Sequence, residues 1–172
     1  MRRPSLSAFS LSHLAHASQA SAPQIEQWIA RKAFAPENGT AAGRARAYTS
    51  GDAVRVAVMA YVCNTCQLPV PIGSAFAQLL DHNLQMELKQ FALFGIIFPE
   101  AAQLATTMWS QEMVNAITLA VGLSDGPQSV AATLASRMDT GAIIVNLSAI
   151  ARAALQRLAE HLDEINSARE SD

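Results

Sequence analysis

The chain has little cysteine, little charge and no long apolar run, and each shortage closes a class of explanation. Cys63 and Cys66 are the only cysteines in 172 residues. Two are too few for the disulfide framework on which small secreted domains depend, so a cytoplasmic protein is expected. Charged side chains make up 15% of the residues and apolar ones 51%, so a sizeable core is within reach and wholesale disorder is not expected. Charged or polar residues break every apolar stretch before it reaches the roughly 20 residues of a membrane span. The opening Met-Arg-Arg-Pro leads into no apolar h-region, so a secretory leader is not expected. No Gly-rich phosphate loop, paired nucleophile and base, or metal-ligand cluster is visible, and neither an enzyme nor a cofactor is expected. The four histidines, His13, His16, His82 and His161, are scattered, with no spacing against carboxylates that suggests catalysis. His13 and His16 read as surface residues of the first helix.

What charge there is sits unevenly. Up to Val56, Arg2, Arg3, Arg31, Lys32, Arg44, Arg46 and Arg55 face Glu26, Glu37 and Asp52, a balance of +4, and the remainder carries −6. A basic front points to a polyanionic partner for that half.

The front is also the more legible half. Residues 1–8 hold Ser and Pro and read as a flexible N-terminus. Ser10 N-caps a short helix through "LSHLAHA", with Leu11, Leu14 and Ala15 on one face. After "SQA", Ser21 and Gln24 form a capping box, and Pro23 falls in the first turn, where its missing N–H costs little. Ile25, Trp28 and Ile29 make the apolar stripe of this second helix and leave Gln24, Gln27, Arg31 and Lys32 outside it. Two short capped helices on a tight connection match a helix-turn-helix. Asn38-Gly39 is a hairpin turn signal. In "RARAY" beyond it, strand alternation sets Arg44, Arg46 and Tyr48 on one side of a wing. Thr49 and Asp52 then cap a helix that carries Val54, Val58, Tyr61 and Val62 inward and ends before Pro69 and Pro71.

Behind residue 80 the pattern coarsens. "SAFAQLLDHNLQMELKQF" reads as helix, as do "PEAAQLATTMWSQEMVNAITLAVG" and "SVAATLASRM". "LFGIIFP" is a strand or a helix end, and "TGAIIVNL" a strand. Ile150, Ala154, Leu158, Leu162 and Ile165 recur at helical spacing within a long helix over 148–167. The expected class is mainly α with a small β wing, an N-terminal winged helix-turn-helix followed by a mostly helical C-terminal region.

The order and spacing of these elements resemble the MerR family of transcription regulators. "FSLSHLAHASQASAPQIEQWIARKAFAP" (9–36) follows the family pattern without gaps. Leu14-Ala15 stands in the first helix, Ser21 opens the recognition helix, and "RAYTSGD" repeats the family's Arg-x-Tyr-x-x-x-Asp at Arg46, Tyr48 and Asp52. The resemblance covers residues 9–80. It departs at Glu26, where most of the family has Arg, and at Gln19 and Lys32, which replace glycines. The family's long dimerisation helix is not visible after the domain.

The resemblance implies a sequence-specific regulator that binds double-stranded DNA as a homodimer, with the second helix in the major groove and the wing on the phosphates. Residues 81–172 are then a dimerisation or regulatory region, with contact to RNA polymerase also open to it. The implied DNA-binding residues are Ser21, Gln24, Gln27, Arg31, Lys32, Arg44, Arg46 and Tyr48. Guanidinium groups suit phosphates, and glutamines suit adenine edges or phosphates. Plainer roles stand beside these: a solvated hairpin face for the arginines, a cap for Gln24, packing of the wing for Tyr48. Cys63-Asn64-Thr65-Cys66 has the spacing of a redox pair or half a metal site, but lone buried cysteines at a helix end are common. A winged-helix protein-interaction adaptor, phage-related or polymerase-contacting, is the competing class, with Glu26 blocking groove entry.

Overall fold

The computed structural model describes residues 9–38, 46–83, 93–97, 119–122 and 143–170. The described residues are mainly helical: α1 (Leu11–Ser18), α2 (Ala22–Ala30), α3 (Ser50–Ala60), one π-helical turn (Tyr61–Thr65), α4 (Val70–Asn83) and α5 (Leu147–Glu170). Strands β1 (Leu93–Ile97), β2 (Leu119–Gly122) and β3 (Ile143–Asn146) form one sheet in the order β2-β1-β3. Both pairings are antiparallel. The central strand sets Gly95 opposite Ala120 on one side and Val145 on the other.

Packing divides the chain into two units, Met1–Ala57 with Ala151–Asp172, and Val58–Ile150. The boundary read at residue 80 marks the extent of a resemblance, and compactness cuts the chain elsewhere. The first unit is discontinuous: the last helix belongs with the first two.

In that unit, helix starts and stops follow local chemistry. The Ser10 hydroxyl accepts from the His13 N–H, and the Ser10 N–H donates to His13 Nδ1, each at 3.3 Å. Two donors that α1 leaves unsatisfied are thus bonded reciprocally. Ser21 accepts from the Gln24 N–H at 3.3 Å to open α2. The stripes close inward as their spacing dictates: Leu14, Ala17, Ile25 and Trp28 are buried, each large side chain contributing about 1.5–3 kcal/mol. Buried Val54, Val56 and Ala57 of α3 and Ala151, Ala154 and Leu158 of α5 belong to the same unit.

Thr49 and Asp52 cap α3 reciprocally. The Thr49 N–H donates to Asp52 Oδ2 at 2.9 Å, and the Asp52 N–H donates to Thr49 Oγ1 at 3.0 Å. The inward stripe of this helix needs one correction. Val54, Val58 and Val62 are buried, but Tyr61 is 41% exposed. Tyr61 begins the π-helical turn, closed by the Cys66 N–H on the Tyr61 carbonyl at 3.0 Å. The wider turn rotates the faces out of 3.6 periodicity, and apolar spacing alone does not register that. Pro69 and Pro71 mark a start as much as a stop. The Pro69 carbonyl accepts from Ile72 and Gly73 at 3.0 and 3.3 Å, and α4 begins at Val70, where a first-turn proline loses no helical bond.

One expectation changes to strand, and the wing lies largely outside the described residues. Residues 39–45, including the Asn38-Gly39 turn and Arg44, lie partly or wholly outside the described residues. Within 46–48 the β structure is a single antiparallel bridge, Tyr48 with Phe9, made by two N–H···O bonds of 2.9 Å. Tyr48 thus pairs with the segment that leads into α1. Leu119–Gly122, read as the end of a helix, is strand β2; Ala-Val-Gly with a sheet partner prefers extended backbone whatever its isolated periodicity. Ile143–Asn146 is the strand expected there, and Leu93–Ile97, left open between strand and helix end, is a strand. The helical readings over 84–91, 99–118 and 129–138 lie outside the described residues.

α5 begins straight after β3. Asn146 Oδ1 accepts from the Ala149 N–H at 2.9 Å, capping a helix of 24 residues. No helix among the described residues is long and apolar enough to cross a membrane.

Candidate nucleic-acid interface

α2 has one buried face and one face open to solvent. Ile25 and Trp28 are 0% and 2% exposed and anchor the helix. Ser21, Pro23, Glu26, Gln27, Ala30, Arg31 and Lys32 are exposed. Gln24 is half-buried. The sequence-implied residues Ser21, Gln27, Arg31 and Lys32 therefore share the outer side and far end of one short helix.

That far end is built with care. The Ala33 N–H donates to the Trp28 carbonyl at 2.9 Å, and the Lys32 N–H to the Ile29 carbonyl at 3.0 Å. This is the double bond pattern of a Schellman motif, with Lys32 at the left-handed position, φ 58°. Gln19, just past α1, also has φ 58°. These are the two positions at which the MerR-like pattern carries glycine. In this chain full side chains adopt the left-handed conformation at both positions.

Behind α2, a charged knot stiffens the segment between it and α3. Asp52 is fully buried. Its Oδ1 accepts from the Glu37 N–H at 3.1 Å and from Arg55, while Oδ2 accepts from Thr49. Arg55 also lies 3.7 Å from Glu37 Oε1 and stacks over the Phe34 ring, 5.2 Å from its centroid. A Cβ at Gly51 would press on the Glu37 carboxylate and push it aside. The cap of Thr49 and Asp52 was legible. The capture of Glu37 and Arg55 by the same carboxylate was signalled only by the i, i+3 spacing of Asp52 and Arg55.

The remaining candidates divide. Arg46 is half-buried and Arg44 lies outside the described residues. Tyr48 is 4% exposed and bridges to Phe9, which favours the packing role over a phosphate contact through its hydroxyl. Cys63 and Cys66 are half-buried. Burial, then the neighbouring Cys66, pushes the Cys63 thiol up to about 11, and burial raises Cys66 as well. Since the thiolate is the reactive and metal-binding form, burial works against that form at both groups. Gly73 of α4 comes so close to Cys63 that a Cβ there would stand 2.8 Å from Sγ. Among the described residues, no group of three or more His, Cys, Asp or Glu is arranged to hold a metal ion.

Sequence reading missed the contribution of α5. Arg157 Nε donates to the Ala17 carbonyl at 2.9 Å, bonding an acceptor that the end of α1 leaves open, where a cation also suits the helix dipole. His161 meets His13 and His16. No local signal announces partners about 140 residues apart. The chain matches no family model and no curated relative.

Proposed function

We propose that the chain is a sequence-reading, DNA-binding transcription regulator, with α1 and α2 as a helix-turn-helix and α2 laid in the major groove. The observation that carries this reading is the outer side of α2, where Gln27, Arg31 and Lys32 are exposed on a helix anchored by buried Ile25 and Trp28. Glutamine suits base edges, and the two cations at the helix end suit phosphates. Further support comes from Gln19 and Lys32, whose left-handed backbone matches the places where the MerR-like pattern has glycine. Arg46, and Arg44 with it, are assigned to the phosphate backbone, and the protein is proposed to act as a homodimer on two half-sites.

Glu26 favours a second reading. It is exposed beside Gln27 on the same helix, where a carboxylate repels phosphate, and a protein-interaction adaptor would use that charge. Selection of bound duplexes from a random library, at low and at physiological salt, separates the two. A regulator should return an inverted-repeat motif with steep salt dependence. Arg31→Ala should then weaken binding to all sequences and reduce the salt slope by about one. Gln27→Ala should relax preference at one position, a discrimination of about 1–3 kcal/mol. Absence of binding at both salts would leave the adaptor.

A further inference from the structure

α1 and α5 each present a stripe of side chains at helical spacing, and the two stripes meet. On α1 the stripe is His13, His16 and Ala17. On α5 it is Arg157, His161 and Glu164. The rings of His16 and His161 are stacked, with centroids 4.1 Å apart and planes 11° from parallel. His13 meets His161 edge-on at 5.5 Å. One turn away, Arg157 holds the Ala17 carbonyl.

We infer that the histidine contact between α1 and α5 is a proton-sensitive latch, which holds α5 on α1 while His13 is neutral and releases it when His13 takes up a proton beside the stacked pair of His16 and His161.

The hydrogen bonding sets the resting state. The Ser10 N–H donates to His13 Nδ1, so that nitrogen carries a lone pair and His13 is neutral, with its proton on Nε2. Protonating Nδ1 breaks half of the α1 capping box and puts a cation at the positive end of that helix.

Charges of both signs surround the contact. On α5, Glu164 lies 3.7 Å from His161 Nδ1 but is 75% exposed. Glu160 accepts from Gln156, Asp163 is exposed, and Arg157 and Arg169 add positive charge. On α2, Glu26 and Arg31 are on the exposed side. His13 is shifted below the ordinary histidine value by burial first, then by His161 and Arg169. Protons can reach the cluster, because His16 is exposed and the His161 side chain is 23% exposed.

The sign follows. A histidine whose folded-state pKa is depressed adds stability that is complete above its unfolded value of about 6.5 and is lost as pH falls through the lower folded value. The latch is therefore closed at pH 7.5 and opens below about 6.5. Metal capture is a different use of three histidines, and the stacked rings of His16 and His161 do not fit it. Their in-plane lone pairs cannot converge on one ion.

The test is hydrogen exchange on the full chain in EDTA, at pH 7.5 and 5.5, corrected for intrinsic rates. At pH 5.5, about one unit below the unfolded histidine value, amides of α5 from Arg157 onward should lose protection by up to about ten-fold, while α3 keeps its own. The His13→Gln, His16→Gln, His161→Gln triple variant should show no such pH dependence; glutamine at position 13 retains an acceptor for the Ser10 N–H. Unchanged α5 protection in the parent chain, or the same loss in the variant, overturns the latch. Should the variant fail to fold, an NMR titration of the parent decides: a His13 midpoint below about 6.5 supports the latch, and one at or above it rejects the latch.

Discussion

At Gln19 and Lys32 the backbone turns left-handed under a full side chain, φ 58° at each. The conformation costs an L-residue about 1–2 kcal/mol. Glycine removes that cost but gives back about 0.5–1 kcal/mol in backbone entropy. Gln19→Gly and Lys32→Gly should therefore each stabilise the chain by up to about 1 kcal/mol, read as a rise in urea midpoint at unchanged slope. The two gains should add, since the sites share no bond. Lys32→Gly should in addition weaken DNA binding, because it deletes a proposed phosphate contact; Gln19→Gly should leave binding unchanged. A residue that is suboptimal for stability yet required for binding is the outcome expected at a functional helix end.

At the scale of the element, the start of α3 concentrates the demands of three segments on one carboxylate. Asp52 bonds the Thr49 and Glu37 backbone and the Arg55 guanidinium, all out of water. Asp52→Ala should cost about 3–5 kcal/mol, because it strips a buried cation of its closest partner as well as opening the cap. Thr49→Ala removes one capping acceptor and should cost about 1 kcal/mol. Chemical denaturation of the two variants checks the ratio. Equal losses would show that the cap alone matters and that Arg55 is held by Glu37 and the Phe34 ring.

For the whole molecule, the important fact is that the unit holding α1 and α2 is completed by the far end of the chain. Leu158 is 4% exposed, Arg157 bonds the Ala17 carbonyl, and His161 contacts two side chains of α1. Deletion of Ala151–Asp172 should accordingly lower protection in α1 and α2 by more than ten-fold, as loss of one buried leucine alone removes about 1.5–3 kcal/mol. Exchange in those two helices measures it. Full protection in the shortened chain would mean that the front folds by itself, as the limit of the resemblance at residue 80 suggests.

Local chemistry determined what lies within a few residues of its cause. Ser10, Ser21 and the pair Thr49 and Asp52 start their helices, and the stripes through Leu14, Ile25, Trp28 and Val54 turn inward, because caps and helical periodicity act over one or two turns and are written in adjacent letters. On the candidate interface, the same short range made Gln27, Arg31 and Lys32 readable as the outer side of α2. Tertiary structure decided the rest. It buried Tyr48 against the path into α1, exposed Tyr61 through a π-helical turn, made strand of Leu119–Gly122, and brought His161 and Arg157 onto α1. In each case the partner is remote or the turn is irregular, and the free energy that selects the arrangement comes from contacts no window of neighbouring residues contains.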